Sequence, residues 1–254
     1  MCSSGHSYDA NKRGFLNLVD RSRGIHGDTR EILEARARFL ALGHYSPIVD
    51  LVDAILPSTE EPQIVDSGCG TGYYAAELSA RRPPGGLLEL DVSLEAVTAA
   101  VRATGAPGLV ADVWRPLPVR SARADFVLCV FAPRNVDEFA RVLRDDGRLL
   151  VVTPAPAHLE QLRAQGRMIG IQADKLDHLD AALGTRFALE RRRALSYTVE
   201  LDEPAVADLA GMGPSGHHGA HPLPSDDLTT VTVAVDVSVY TKTQRGSRPR
   251  PGSD

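Results

Sequence analysis

From residue 63 onward, short apolar runs alternate with amphipathic stretches. "QIVDSG" leads to a helical pattern from Tyr73, "LLELDV" to another from Leu94; "GLVADV" and "DFVLCVF" follow, then a helical pattern from Val136 and "RLLVVTP". Strands separated by helical crossovers pair in parallel, because each crossover returns the chain to the same edge. Runs that are apolar throughout, rather than alternating, predict strands covered on both faces. Late in the chain the pattern changes. "RFALERRRALSYTVEL" and "LTTVTVAVDVSVYTK" are long and alternating, with a short helix predicted near Glu203–Ala210 between them. The whole predicts an α/β domain over residues 61–243, a mostly parallel doubly wound sheet with an antiparallel edge pair.

The flanks read differently. Residues 1–28 are polar and rich in Gly, Ser and Arg, with an apolar patch at Phe15, Leu16 and Leu18. Residues 29–60 predict two linking helices. Thr29 suits an N-cap, and Ile32, Ala35, Phe39, Leu40 and Leu42 form the inward stripe. Pro47 opens the second helix, whose apolar positions are Val49, Val52 and Ile55. The loop from Gly211 to Asp226 is rich in Gly, Pro and His, and residues 244–254 have a disordered composition.

Composition excludes several classes. No apolar run in the 254 residues approaches the roughly 20 needed to span a bilayer, so no membrane partner is expected. The N-terminus lacks the basic-then-apolar pattern of an export signal, and the three cysteines, Cys2, Cys69 and Cys129, are too scattered for a disulfide framework. Both point to a reducing cytoplasm. A net charge of −5 argues against coating nucleic acid with the whole surface, although Lys12-Arg13, Arg21 to Arg30 and Arg191 to Arg193 are local basic clusters.

"IVDSGCGTGYYAAEL" places Asp66, Gly68, Gly70 and Gly72 between the first strand of the alternating region and its helix. Glycines there let the backbone turn tightly and approach a ligand. A Walker loop would end in Gly-Lys-Ser/Thr, and a dinucleotide fingerprint would put glycine where Tyr73 stands. The observed spacing suits a ligand without pyrophosphate. Asp66 suits an ammonium group, such as the methionine part of S-adenosylmethionine (SAM). Asp91, in "LELDVS", falls where an acidic side chain grips a ribose diol. Asp112, in "VADVW", can accept from an adenine amino group, with Val113 and Trp114 as walls. Each aspartate alone could be a turn residue. Together, at successive strand ends on one sheet edge, they predict SAM binding.

At the N-terminus, Cys2 and His6 stand as Cys-x₃-His, half of a tetrahedral zinc site. His217, His218 and His221 have no acidic or cysteine companion and read as solvated loop histidines.

The motifs "GHSYDANKRGFLNLV", "ARARFLALGHYSPI", "IVDSGCGTGYY", "LDVS", "FAPRN", "VVTPAPAHLEQL" and "MGPS" occur in an order that resembles the RlmA family, the 23S rRNA guanine-N1-methyltransferases, over roughly residues 2–215. The variants "VADVWRPLPVR", "FAPRN" and "MGPS" resemble the actinobacterial macrolide-resistance branch, the tylosin- and mycinamicin-resistance type. The resemblance implies a Rossmann-like class I SAM-dependent methyltransferase with a small N-terminal partial zinc ribbon, and 23S rRNA as partner. It implies a full Cys-x₂-Cys plus Cys-x₃-His ribbon for Zn²⁺, in which Cys2 and His6 match only the second pair; the first would precede residue 1. Tyr45 and His158 match residues that contact the cofactor, and Thr71 and Gly72 match the loop beneath its methionine end. A homodimer is a further implication.

Without the resemblance, His44-Tyr45 reads as a helix-packing pair and His158 as an exposed helix-start residue. The resemblance makes Arg134 and Asn135, after the fourth strand of the alternating region, the acceptor-loop candidates for a guanine edge or phosphate. Asp137 and Glu138 are the nearby carboxylates, but no general base stands out. The resemblance implies methylation of guanine N1 in a hairpin loop of 23S rRNA, with macrolide resistance as a consequence. A small-molecule SAM-dependent methyltransferase and a non-catalytic SAM- or RNA-binding paralogue remain as alternatives.

Overall fold

The computed structural model describes residues 11–19, 27–168, 175–213 and 228–243. Cys2, His6 and the three loop histidines lie outside them, as does the predicted tail. The described residues form one eight-stranded sheet. Its strands are β1 (Phe15–Asn17), β2 (Gln63–Ser67), β3 (Gly86–Asp91), β4 (Gly108–Val110), β5 (Ala124–Val130), β6 (Leu143–Pro154), β7 (Phe187–Leu201) and β8 (Thr229–Lys242), in spatial order β1-β4-β3-β2-β5-β6-β8-β7. From β1 to β6 every pairing is parallel; β8 runs antiparallel to both β6 and β7. The mostly parallel sheet with its antiparallel edge pair is the expected one. Phe15–Asn17, from the N-terminal region, joins it as a further parallel strand beside β4.

Why the central strands are continuously apolar is visible in β5. Phe126, Leu128 and Val130 pack into one core, and Val127 and Cys129 into the other. The first core is closed by α1 (Arg30–Ala41), α2 (Ser46–Ile55) and α8 (Glu203–Gly211), the second by α5 (Val136–Val142) and α7 (Lys175–Leu183). Each fully buried leucine, such as Leu128 or Leu150, contributes about 1.5–3 kcal/mol by leaving water. α3 (Tyr73–Arg81), α4 (Leu94–Thr104) and the short α6 (Glu160–Ala164) complete the helices.

Local chemistry sets the helix starts. Thr29 caps α1 by accepting from the Ile32 N–H at 3.4 Å, Ser93 caps α4 through Ala96 at 3.2 Å, and Asp202 caps α8 through Ala205 at 2.9 Å. Pro47 falls in the first turn of α2 as expected. Leu42, expected on the buried stripe of α1, is instead the residue after the helix and is 54% exposed, because the 3.6-residue period stops at Ala41.

The strand order reverses between β2 and β5. β3 and β4 extend the sheet to one side of β2, and β6 extends it to the other side of β5. In open α/β sheets this switch point leaves a crevice at the strand carboxyl ends, where ligands sit. Here it is bounded by the turn after β2 and the turn after β5.

Candidate functional site

The turn after β2 places Gly68, Gly70 and Gly72 at φ +78°, +52° and +75°, a backbone shape that glycine adopts without penalty. A Cβ on Gly68 would lie 2.4 Å from that of Ala132, and one on Gly72 would lie 2.7 Å from the Ala100 Cα. The first glycine therefore locks the β2 turn against the β5 turn, and the third locks α3 against α4. Gly70 has another task. Its N–H donates to Asp91 Oδ2 at 3.1 Å, while the Ser93 N–H donates to Oδ1 at 2.9 Å. Burial pushes the Asp91 carboxyl up and these two donors pull it back, which orients the group at the crevice mouth.

Two cavities meet there. The smaller, about 220 Å³, lies among Leu90, Asp91, Ala111, Asp112, Val113 and Trp114. The larger, about 760 Å³, runs from Asp66, the Gly68–Thr71 turn and Asp91 towards Phe131, Arg134 and His158. Asp91 and Gly68 line both. A nucleoside fits the first: a carboxylate at the β3 end for a diol, a second after β4, and flat apolar walls. An amino-acid tail bearing positive charge fits the adjoining acidic end of the second. The donor set therefore suits SAM across the junction.

The acidic end has its own electrostatics. Asp66 and Glu89 are register partners on β2 and β3 and are both buried. Burial pushes both carboxyls up, Glu89 furthest, and the repulsion from Asp66 adds to the effect on Glu89. Glu89 thus holds a proton at neutral pH, and Asp66, which lines the cavity, carries the charge more readily. Arg36 from α1 lines the same cavity as Asp66, beside Gly70. Its Nη1 lies 2.6 Å from Asp28 Oδ2, and its Nη2 donates to the Met212 carbonyl at 2.6 Å. Sequence reading did not single out Arg36; its position on a helix before the alternating region gave no sign that it reaches the glycine turn.

The far end of the larger cavity is aromatic. Tyr45, between α1 and α2, is buried with its hydroxyl 3.5 Å from His158 Nε2. The Ala234 N–H donates to His158 Nδ1 at 3.2 Å, so Nδ1 is the unprotonated nitrogen and Nε2 carries the proton of the neutral ring. His158 is therefore a donor towards Tyr45 and the cavity, not a base. Tyr74 and Phe131 continue the wall, their centroids 6.3 Å apart.

Tyr45, Asp66, Gly68, Gly70, Thr71, Asp91 and His158 all line the larger cavity, as does Arg134; Asp112 and Val113 line the smaller. Tyr45 and His158, whose bland readings were a packing pair and an exposed helix-start residue, share this cavity, and His158 is buried. Gly72 sits behind the turn as the α3 N-cap and lines neither. Asn135 is committed elsewhere: its Oδ1 accepts from the Glu138 N–H at 3.2 Å to cap α5, and its Nδ2 donates to the Val113 carbonyl at 2.8 Å. Among the nearby carboxylates, Glu138 is paired with Arg141 at 2.7 Å and Asp137 with Arg186 at 2.7 Å, and neither lines the cavity. Burial pushes the thiols of Cys69 and Cys129 up, Cys129 to about 12, which leaves both as inert core groups. In the Arg191–Arg193 run, Arg191 and Arg193 are exposed and Arg192 turns inward to Asp180 at 2.7 Å. Among the described residues, no three His, Cys, Asp or Glu side chains gather to hold a metal. No described helix is long and apolar enough to cross a membrane.

A family described as "Methyltransferase domain" matches residues 65–151. The chain is 36% identical to a 23S rRNA (guanine(748)-N(1))-methyltransferase of Streptomyces fradiae, over 85% of this chain and 79% of that protein. It is 34% identical to a protein of Micromonospora griseorubida named as a 23S rRNA (guanine-N(1)-)-methyltransferase, over 94% and 89%. Among solved structures it is similar to a Haloferax volcanii methyltransferase held with its activator, at TM-score 0.55 and 17% identity, over 87% of this chain and 100% of that one. A SAM-dependent methyltransferase of Thermotoga maritima matches at TM-score 0.52 and 16% identity, over 83% and 96%. At these identities the two structures support the fold alone.

Proposed function

Since the chain belongs to the 23S rRNA guanine-N1-methyltransferases, which are SAM-dependent enzymes, we propose that it methylates N1 of one guanine in a hairpin loop of 23S rRNA, with macrolide resistance as the consequence. The observation that carries this is the junction of the two cavities at Asp91. One side suits a nucleoside, and the other, of about 760 Å³, is lined by the acidic glycine turn and by Phe131 and His158.

When bound, SAM supplies a methyl group on a positively charged sulfur that leaves as a neutral thioether. The protein's own contribution is placement and charge. Asp91 and Asp112 hold the nucleoside end, and the glycine turn admits the backbone close to the tail. Asp66 faces the positive charge of that tail. A target base drawn from a loop enters from the aromatic end, since a base within a duplex presents no free N1 edge. Guanine N1 must lose its proton as the new bond forms. Arg134 stands at that end of the cavity and favours negative charge on O6, which makes N1 a better nucleophile. His158 cannot take the proton at Nδ1, which accepts from Ala234, so the proton goes to solvent. Fixing acceptor and donor in line accounts for several kcal/mol of the barrier.

The test uses rRNA from a strain lacking the gene. After treatment with enzyme and SAM, reverse transcription is expected to stop at a single hairpin-loop guanine. No stop, with methyl transfer to a metabolite panel instead, would favour the small-molecule reading. SAM binding without any turnover would favour the non-catalytic one.

The finer parts of this reading are a cytoplasmic enzyme, a homodimer, and a Zn²⁺ contribution from Cys2 and His6. Two ligands give a weak site. Metal content of the purified chain, and its sedimentation, test zinc and dimer separately.

A further inference from the structure

Phe131 is the first residue beyond β5, and its backbone is left-handed, with φ +54°. A bulky aromatic residue in that region is strained, whereas Gly or Asn would adopt it at little cost. Burial does not explain the choice: the ring is 41% exposed, one of few large apolar side chains among the described residues that are. The geometry around it is nonetheless firmly held. Its N–H donates to the Val152 carbonyl at 3.0 Å, and Ala132, the next residue, is packed against Gly68. The strain therefore persists because the strand pairing and the glycine turn over-determine it, and its effect is to present the ring to the larger cavity.

Two other rings frame that presentation. Tyr74 meets Phe131 edge-on at 6.3 Å and 60°. His158 lies nearly parallel to it, at 6.1 Å between centroids and 21° between planes. The cavity thus offers an aromatic face on the same turn that carries Arg134. Flat hydrophobic faces flanked by a cation bind unstacked nucleobases, by stacking and by hydrogen bonding to the exposed edge.

We infer that Phe131 is the stacking platform for the acceptor purine, held in its strained backbone so that the target guanine lies flat with N1 towards the glycine turn. The inference rests on the rRNA-methyltransferase reading above and adds to it the residue that receives the base. A purely apolar lining role would be served equally by leucine. A stacking role would not.

The experiment compares Phe131→Leu, Phe131→Tyr and Phe131→Asn with wild type on an RNA hairpin containing the unmodified target guanine. Losing one base-to-ring stack corresponds to a drop of on the order of 5- to 100-fold in kcat/KM. Phe131→Leu is expected to show that drop with SAM affinity, measured by calorimetry, unchanged within about twofold. Phe131→Tyr, which keeps the π-face, should retain most of the rate. Phe131→Asn, which suits the left-handed backbone, controls for folding and should melt no lower than wild type while losing RNA turnover. With 2-aminopurine in place of the target guanine, fluorescence should be quenched in wild type and in Phe131→Tyr, and recover in Phe131→Leu. Wild-type turnover and quenching in Phe131→Leu would overturn the inference while leaving the enzyme reading intact. Failure of the wild-type enzyme itself on the hairpin would instead reject the enzyme reading.

Discussion

The two ends of the cleft are built in different ways. The acidic end comes from neighbouring strand ends: Asp66 is the penultimate residue of β2, Asp91 closes β3, and Asp112 lies two residues beyond β4. The aromatic end is gathered from distant segments. Tyr45 comes from the junction of α1 and α2, Phe131 from the β5 turn, and His158 from the segment after β6, 113 residues from its Tyr45 partner. The first end is rigid because the sheet's own ladder positions it. The second depends on tertiary packing.

Substitutions that separate the ends put this contrast at most risk. Asp91→Asn keeps shape but removes the charge held by two backbone N–H groups, each such bond being worth about 1.5–3 kcal/mol. SAM affinity by calorimetry should fall about 10- to 100-fold while hairpin-RNA affinity stays within twofold. Equal loss of both would mean that the ends are not independent. Next in size, Arg134→Ala should lower kcat on RNA about tenfold with SAM affinity unchanged, since the proposed role of its guanidinium is to favour negative charge on the acceptor O6.

How much of this was readable in the sequence follows the same division. The glycine turn and its aspartates are coded locally, by residues within one strand-turn-helix unit, and so the acidic end was legible. Tyr45 and His158 had bland local readings, and only the family resemblance singled them out; nothing near either residue encodes a partner more than a hundred positions away. Phe131 was missed because residue type does not announce a positive φ. Asn135 was assigned to the acceptor loop although Asn135-Val136-Asp137-Glu138 carries the pattern of a helix start, which is how it is used. The strand Phe15–Asn17 is three residues long, too short for periodicity to reveal.

Gly68 joins the two ends, so it should break the contrast. Gly68→Ala forces a left-handed alanine, about 1–2 kcal/mol, and a Cβ against Ala132. Thermal denaturation should fall by several degrees, and both SAM and RNA affinity should weaken together. A variant that lost only one would show that the turns move separately.

The smallest effect expected is on stability alone. Burial raises the folded Glu89 carboxyl from 4.5 to about 9, so folding favours its protonated form. Stability from this group is full below its unfolded value and declines as pH rises through the folded one. Glu89→Gln should therefore match wild type near pH 4 and melt a few degrees higher near pH 9. A lower melting temperature at pH 9 would contradict that assignment.

The central claim is that a methyl group passes across the Asp91 junction to a guanine N1. Its most direct measurement is methyl-labelled SAM with the hairpin RNA, followed by nuclease digestion and identification of the labelled nucleoside by mass spectrometry. The account predicts 1-methylguanosine as the labelled product from wild type, and almost none from Asp91→Asn at limiting SAM. Label on another atom or another base, or none from an enzyme that demonstrably binds SAM, would contradict it.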